Sequence, residues 1–440
     1  MLNTGVQFIP NSPKINARET QGKDGFYHFY PGYSTEFVKD ILQYWNLPKD
    51  SVILDPWNGS GTTTEAATDL GYHAKGYDLN PVMIIIAKAR NVSFSQYQVL
   101  KEMQRDFGEQ LHILDQTHKL NLNNDPLTDW FVPETVEALR VLEYCLQSIS
   151  PDFTEYVRLF HHQQMLLNIT TETAFFYVAL FRVLKELSSS FRSSNPTWIK
   201  KPKQENERAF FSKESVISCF NDQVNELLVL LSNEVNDLNV ETGTISLGLS
   251  NSTNLLLEDE SIDAVITSPP YCTRIDYAVL TSLELALLGI NDEDLVKLRR
   301  TLIGSPLTHP FEPEIDVKWG KSCLNTINRI REHESKASNT YYLRTYLQYF
   351  DGFYKSLIEI DRVLTINGEC VIVVQDSYYK DIHIDLAEIV SEMTNSLNWK
   401  HTKQFSYTSK QSMSWINTNS KKYRKITNDK ETVLFFHKRS

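Results

Sequence analysis

Two stretches of this chain alternate short apolar runs with longer runs of helical spacing, and the stretch between them does not. In the first, Ser51-Val52-Ile53-Leu54 predicts a strand and residues 65–70 a helix. Residues 73–77 predict a second strand. Leu79-Asn80-Pro81 then opens another helix, with Pro81 suited to its first turn. The alternation resumes near residue 245. Strands are expected at 262–267 and 369–374, and helices at 278–288, 293–302, 341–364 and 384–397. Residues 400–407 and 431–437 read as a terminal strand pair. Such alternation predicts an α/β fold of Rossmann type, with a doubly wound and mainly parallel sheet.

The intervening residues 96–244 carry helical spacing at 134–148, 153–167, 171–189 and 214–231. They read as a mostly helical insertion, interrupted by a loop at 188–208 that contains Pro196 and Pro202. Residues 22–95 and 245–440 then form one catalytic unit. Within it, 304–336 reads as irregular, given Pro306, Pro310 and Pro313.

The first α/β stretch contains Asp55-Pro56-Trp57-Asn58-Gly59-Ser60-Gly61-Thr62-Thr63-Thr64 between its strand and its helix. Strand, glycine turn, helix is the nucleotide-binding layout of open α/β sheets. Gly59 and Gly61 permit a tight backbone, and Thr62 or Thr63 is expected to cap the helix. The third glycine of the dinucleotide fingerprint is missing, which argues against a pyrophosphate cradle. Asp78, about 20 residues past the glycines, is placed to hold ribose hydroxyls.

In the second stretch, a predicted strand runs directly into Ser268-Pro269-Pro270-Tyr271. Two prolines make a rigid extended turn without N–H donors, which leaves acceptors beside a small hydroxyl and an aromatic face. That combination suits a planar base bearing an exocyclic amine. Beyond it, Arg274 is a candidate phosphate contact, and Asp276 pairs with it, contacts the base, or joins a local salt bridge that caps the next helix. Asp376 is a weaker candidate. Cys272 reads as a packed thiol, not a nucleophile.

Composition narrows the setting. A net charge of −11 means that any polyanion contact needs local basic surface. Three stretches offer it: Lys200-Lys201-Pro202-Lys203, Lys297 with Arg299 and Arg300, and Lys421-Lys422-Tyr423-Arg424-Lys425, where an aromatic is interleaved. The 5 cysteines form no C-x-x-C pair, which fits a reducing cytoplasm and argues against zinc. No run approaches a membrane span, and Met1-Leu2-Asn3-Thr4-Gly5 lacks a secretory pattern.

Together these residues resemble the amino-methyltransferases of DNA, which use S-adenosylmethionine. Asp55 to Thr63 is similar to that family's D-P-F-x-G-x-G-T-T cofactor motif, Asp78 to its ribose-binding acid, and Ser268 to Tyr271 to its catalytic (D/N/S)-P-P-(Y/F/W) turn. His28-Phe29-Tyr30-Pro31-Gly32-Tyr33-Ser34 resembles the segment that closes over the methionine end of the cofactor. The resemblance implies seven strands with one antiparallel near the end. It implies cofactor contacts from Tyr30, Pro31, Ser34, Asp55, Pro56, Gly59, Gly61, Thr62, Thr63, Asp78 and Asn80. Asn251 or Ser252 stands where the family often has an adenine-contacting Asp.

The implied substrate is double-stranded DNA with one base flipped, contacted by Arg274, Asp276, Lys421, Lys422 and Arg424, in a restriction or defence setting. Serine at position 268 favours the N4 amine of cytosine. N6 of adenine is the alternative, followed by an RNA amine or a catalytically silent nucleic-acid-binding subunit. Recognition sequence and oligomeric state are not legible in the sequence.

Overall fold

β1 (Val52–Asp55) sits at the point where the chain changes direction across a seven-stranded sheet. In the computed structural model, which describes residues 8–28, 32–114, 122–149, 154–192, 198–234, 243–272, 275–408 and 430–439, β2 (His73–Asp78) and β3 (Ile245–Leu249) lie to one side of β1. β4 (Ile262–Thr267), β5 (Leu364–Gln375), β7 (Lys430–His437) and β6 (Lys400–Thr408) follow on the other side, in that order. β1 to β5 pair in parallel. β7 runs antiparallel between β5 and β6, with Glu369 opposite His437 and Thr408 opposite Lys430. The expected doubly wound sheet with one reversed strand is therefore present. Its switch point lies between β1 and β4, where open α/β sheets bind ligands.

Side chains alternate across the sheet. Ile53, Ala264, Ile266, Val371 and Val433 face one apolar layer with Phe37 and Ile41 of α1 (Thr35–Trp45) and Ala66 of α2 (Thr62–Asp69). Leu54, Val265, Ile372 and Leu434 face the other, against the helices Leu343–Val363 and Leu386–Ser396. Both faces are covered, which is why these strands read as continuous apolar runs.

A third cluster joins the helical stretch to the sheet. α3 (Pro81–Ala89) is almost wholly buried and packs against the helix Thr171–Leu187, which in turn packs against Pro133–Ser148 and Lys213–Ser232. The fully buried Arg140 anchors this assembly. It takes Asp125 at 2.8 Å and donates to the carbonyl of Ala286 at 3.0 Å, near the end of the helix Ser282–Leu287.

Three expectations need correction. The helix expected at 153–167 is only a short turn, Leu159–His161, and the helix Gln163–Asn168. Here the Phe160 N–H bonds to Leu288 O at 2.9 Å, so a distant element replaces the i−4 partner. The helix expected at 278–288 is divided at Thr281 into Tyr277–Leu280 and Ser282–Leu287. The segment 304–336 is not wholly irregular: Lys321–Glu332 is a helix that buries Cys323, Thr326, Ile327 and Ile330. That i, i+4, i+7 spacing was available in the sequence but masked by the prolines before it. Among the described residues, no helix is long and apolar enough to cross a membrane.

Candidate active site

The first wall of the site is built where β1 and β2 end. After Asp55 the chain turns through Gly59 at φ 48° and Gly61 at φ 90° into α2. A Cβ on Gly61 would lie 2.7 Å from Ala87 Cβ, so the turn rests directly on α3. The expected threonine cap is absent. Gly61 itself is the N-cap and offers no side chain, because Thr62 already begins the helix. Asp78 holds the turn from the neighbouring strand. Its carboxylate accepts the Gly59 N–H at 3.0 Å and the Asn80 N–H at 2.8 Å. Burial pushes the Asp78 carboxyl up to about 6, and the charge of Asp55 adds to the shift.

The second wall is the Ser268–Tyr271 turn at the end of β4. The Ser268 hydroxyl donates to Val373 O at 3.4 Å, which turns its lone pairs toward acceptor work. Tyr349 donates its hydroxyl to the Pro270 carbonyl at 3.0 Å. Between the walls lies a cleft lined by residues of both.

Of the residues expected at the cofactor, Pro56, Gly59, Thr62, Asp78 and Asn80 line this cleft, and all four of Ser268, Pro269, Pro270 and Tyr271 face them. Asp55, Gly61 and Thr63 stand behind the wall. Asp55 is fully buried and accepts from Thr267 Oγ1 at 2.6 Å and from the Tyr33 hydroxyl at 3.0 Å, while burial raises its pKa. Thr63 donates to Ile266 O at 3.1 Å and touches the Tyr33 hydroxyl. Ser34 caps α1 and donates to Glu19 at 2.6 Å, away from the cleft, while its neighbours Gly32 and Tyr33 line it. Asn80 caps α3 through Val82 N and donates to Thr281 at 2.9 Å, which links the two halves of the site.

Asp276 is committed to structure. It caps the helix Tyr277–Leu280 and pairs with Arg299 at 2.7 Å, at 6% exposure, so its carboxylate is not offered to a base. Asp376 pairs with His383 at 2.9 Å and does not line the cleft. Lys201 is tied to Asp129 and Asp292, and Lys297 to Glu293. Tyr30, Pro31, Arg274, Lys421, Lys422 and Arg424 lie outside the described residues.

Some site residues, Tyr277 and Arg90 among them, carried no individual signal in the sequence, whereas Asn251 and Ser252 were candidates there. Tyr277 and Trp57 line the cleft, and Trp57 stacks on Phe353 at 5.9 Å. Asn251 and Ser252 also line it. Ser252 bonds Ser356 at 2.8 Å, and the Asn251 amide oxygen accepts the Thr253 N–H at 3.1 Å. Beneath the glycine turn, Arg90 is buried against Glu65 at 2.7 Å, contacts Asp24, and reaches Ser60 Oγ and Thr62 Oγ1, each at 3.3 Å. Lys23 completes this cluster at 3.0 Å from Glu65.

A model of the N6/N4 DNA methylases matches residues 11–89 and 262–440, more than half of the chain and both walls of the cleft. The chain belongs to this family. It is a DNA amino-methyltransferase of the N4/N6 class, and S-adenosylmethionine is its methyl donor. This methylase is similar to the Type II methyltransferase M.AvaI of Nostoc sp., with 26% identity across 90% of this chain and 82% of that protein. M.BsoBI of Geobacillus stearothermophilus is 25% identical over 64% of this chain and 56% of its own length. M.MvaI of Kocuria varians is 21% identical over 86% of this chain and 82% of its own.

The residues present fit the cofactor. The Asn58 amide Nδ2 is buried without a partner in the cleft wall. Asp78 lines the cleft beside the glycine turn, which lets a ligand approach the backbone closely.

Proposed function

We propose that this methylase modifies the N4 amine of a cytosine flipped out of double-stranded DNA. The observation that carries the reading is Ser268 with its hydroxyl proton directed at Val373 O, standing across the cleft from Asp78. An exocyclic base amine is a weak nucleophile because its lone pair is delocalised into the ring. The Ser268 oxygen and the Pro269 carbonyl accept its two N–H bonds and direct the lone pair along the transfer line. Tyr271 stacks on the ring. S-adenosylmethionine, when bound, supplies a methyl group activated by a positively charged sulfur. Asp78, Asn80 and Asn58 hold that ligand while Tyr33 and Gly32 bound the cleft. The proton leaves the methylated amine to water.

Serine at the first position of the turn supports cytosine. Adenine N6 is the second reading, because its amine needs the same two acceptors and its ring the same stacking face. The Type II names of the relatives support a place in restriction-modification, and this reading puts the enzyme in the cytoplasm and assigns target reading to the helical stretch 96–244 and segment 304–336. Transfer of labelled methyl groups to unmethylated duplex DNA and total RNA, followed by nucleoside mass spectrometry, tests this. N4-methylcytosine supports the proposal, N6-methyladenine moves the target base, and label confined to RNA overturns the substrate.

A further inference from the structure

One peptide unit of the turn is held from both sides. The Pro270 carbonyl accepts the Tyr349 hydroxyl at 3.0 Å, and the Tyr271 N–H donates to the Tyr277 hydroxyl at 2.9 Å. These two groups belong to the same peptide bond, which is planar. The torsions before it are already restricted. Both prolines have φ locked near −65°, and Pro269 is kept extended by the proline that follows it. The soft backbone torsions left between the prolines and Tyr271 are therefore ψ of Pro270 and φ of Tyr271, which flank the gripped plane and set where the Tyr271 side chain leaves the backbone.

The surroundings fit a clamp. Tyr349 is 3% exposed, and its ring stacks on Phe353 at 6.0 Å, which in turn stacks on Trp57. Burial raises both phenols, so both keep their protons. Gly304, at φ 81°, backs the turn, and a Cβ there would lie 2.7 Å from Tyr271 O. The Tyr277 hydroxyl accepts from Tyr271, so its own proton is left for an acceptor in the cleft that it lines.

We infer that Tyr277 and Tyr349 are positioning residues that fix the Pro270–Tyr271 peptide plane and so set the Tyr271 ring against the acceptors of Ser268 and Pro269. This rests on the reading of Ser268–Tyr271 as the base-gripping turn. Neither tyrosine needs to touch the base; they act through the backbone between its two contact points.

The test is single-turnover methyl transfer from tritiated S-adenosylmethionine to unmethylated duplex DNA by the full chain. Tyr349→Phe, Tyr277→Phe and Ser268→Ala are compared with the parent. Each phenylalanine keeps its ring and loses one hydrogen bond. The expected fall in rate is about tenfold each, the equivalent of one hydrogen bond of ~1.4 kcal/mol. For Tyr349→Phe, which does not line the cleft, cofactor Kd and the KM for DNA stay within about twofold. An unchanged rate in both phenylalanine variants, with Ser268→Ala inactive, overturns the clamp and leaves the turn's role standing. A rate loss matched by equal losses of cofactor affinity and thermal stability assigns the tyrosines to folding and also overturns it. Full activity of Ser268→Ala instead overturns the reading of the turn.

Discussion

Thr267 donates its hydroxyl to Asp55 at 2.6 Å, so the residue just before the Ser268–Tyr271 turn is bonded to the residue that opens the glycine turn, 212 positions away in sequence. The two walls of the cleft thus share one buried hydrogen bond. Thr267→Val keeps the β-branched shape and removes the donor. It is expected to cost about 1.5–3 kcal/mol, the range for a hydrogen bond to a charged group. Cofactor affinity should fall with it, because Asp55 also orders Trp57 N at 3.1 Å. Denaturant unfolding and cofactor titration of one sample check both effects.

The two walls should also separate kinetically. Ser268→Ala and Tyr271→Ala are expected to lower methyl transfer by about a hundredfold or more, on the scale of lost transition-state donors and acceptors. Cofactor affinity should change little. Asp78→Ala should reverse the pattern, weakening cofactor binding first. Tyr271→Ala retaining full activity would remove the stacking role.

Asp78 gives the site a pH dependence. Its carboxyl titrates at about 6 in the folded protein, above its ordinary value, because burial disfavours the charge. As pH falls through about 6 the group gains a proton and loses acceptor capacity, so S-adenosylmethionine binding should weaken there. The stability effect has the opposite sign. Between its ordinary value and about 6 the folded state holds more protons than the unfolded chain, so this group's contribution falls as pH rises through that window. Asp78→Asn should flatten both slopes, read by calorimetric titration and by thermal melts from pH 4 to 8.

Arg90 carries the support beneath the glycine turn. At 3% exposure it pairs with Glu65 and Asp24 and holds Ser60 and Thr62. Arg90→Met should cost about 3–5 kcal/mol, because it leaves a buried carboxylate without its partner. Since Lys23 remains 3.0 Å from Glu65, the figure belongs at the lower end of that range. Adding Asp24→Asn, which neutralises the buried carboxylate that loses Arg90, should recover part of the loss in a thermal melt, an outcome that simple cavity formation does not give.

The nearest neighbours in the chain determined a good deal on their own. Glycines at 59 and 61, prolines at 269 and 270, and an acid at the end of β2 restrict or use the local backbone, so the turns and their chemistry are written where they occur. The central strands β1, β4 and β5 were legible because a sheet covered on both faces demands runs of apolar residues there.

Tertiary structure decided what depends on partners far along the chain. Of the readings open for Asp276, the helix cap holds, but only the fold chose its cation, Arg299, which comes from another helix 23 residues on. The helix expected at 153–167 yields to backbone bonds with Leu288. Ser34 faces Glu19, not the ligand. Tyr349 reaches Pro270 across 79 residues, and Arg90 reaches Ser60 across 30. Periodicity and backbone restriction act over a few residues and can be read in order. A buried hydrogen bond or ion pair is chosen by which groups the finished packing removes from water together, and that choice exists only once the sheet has formed.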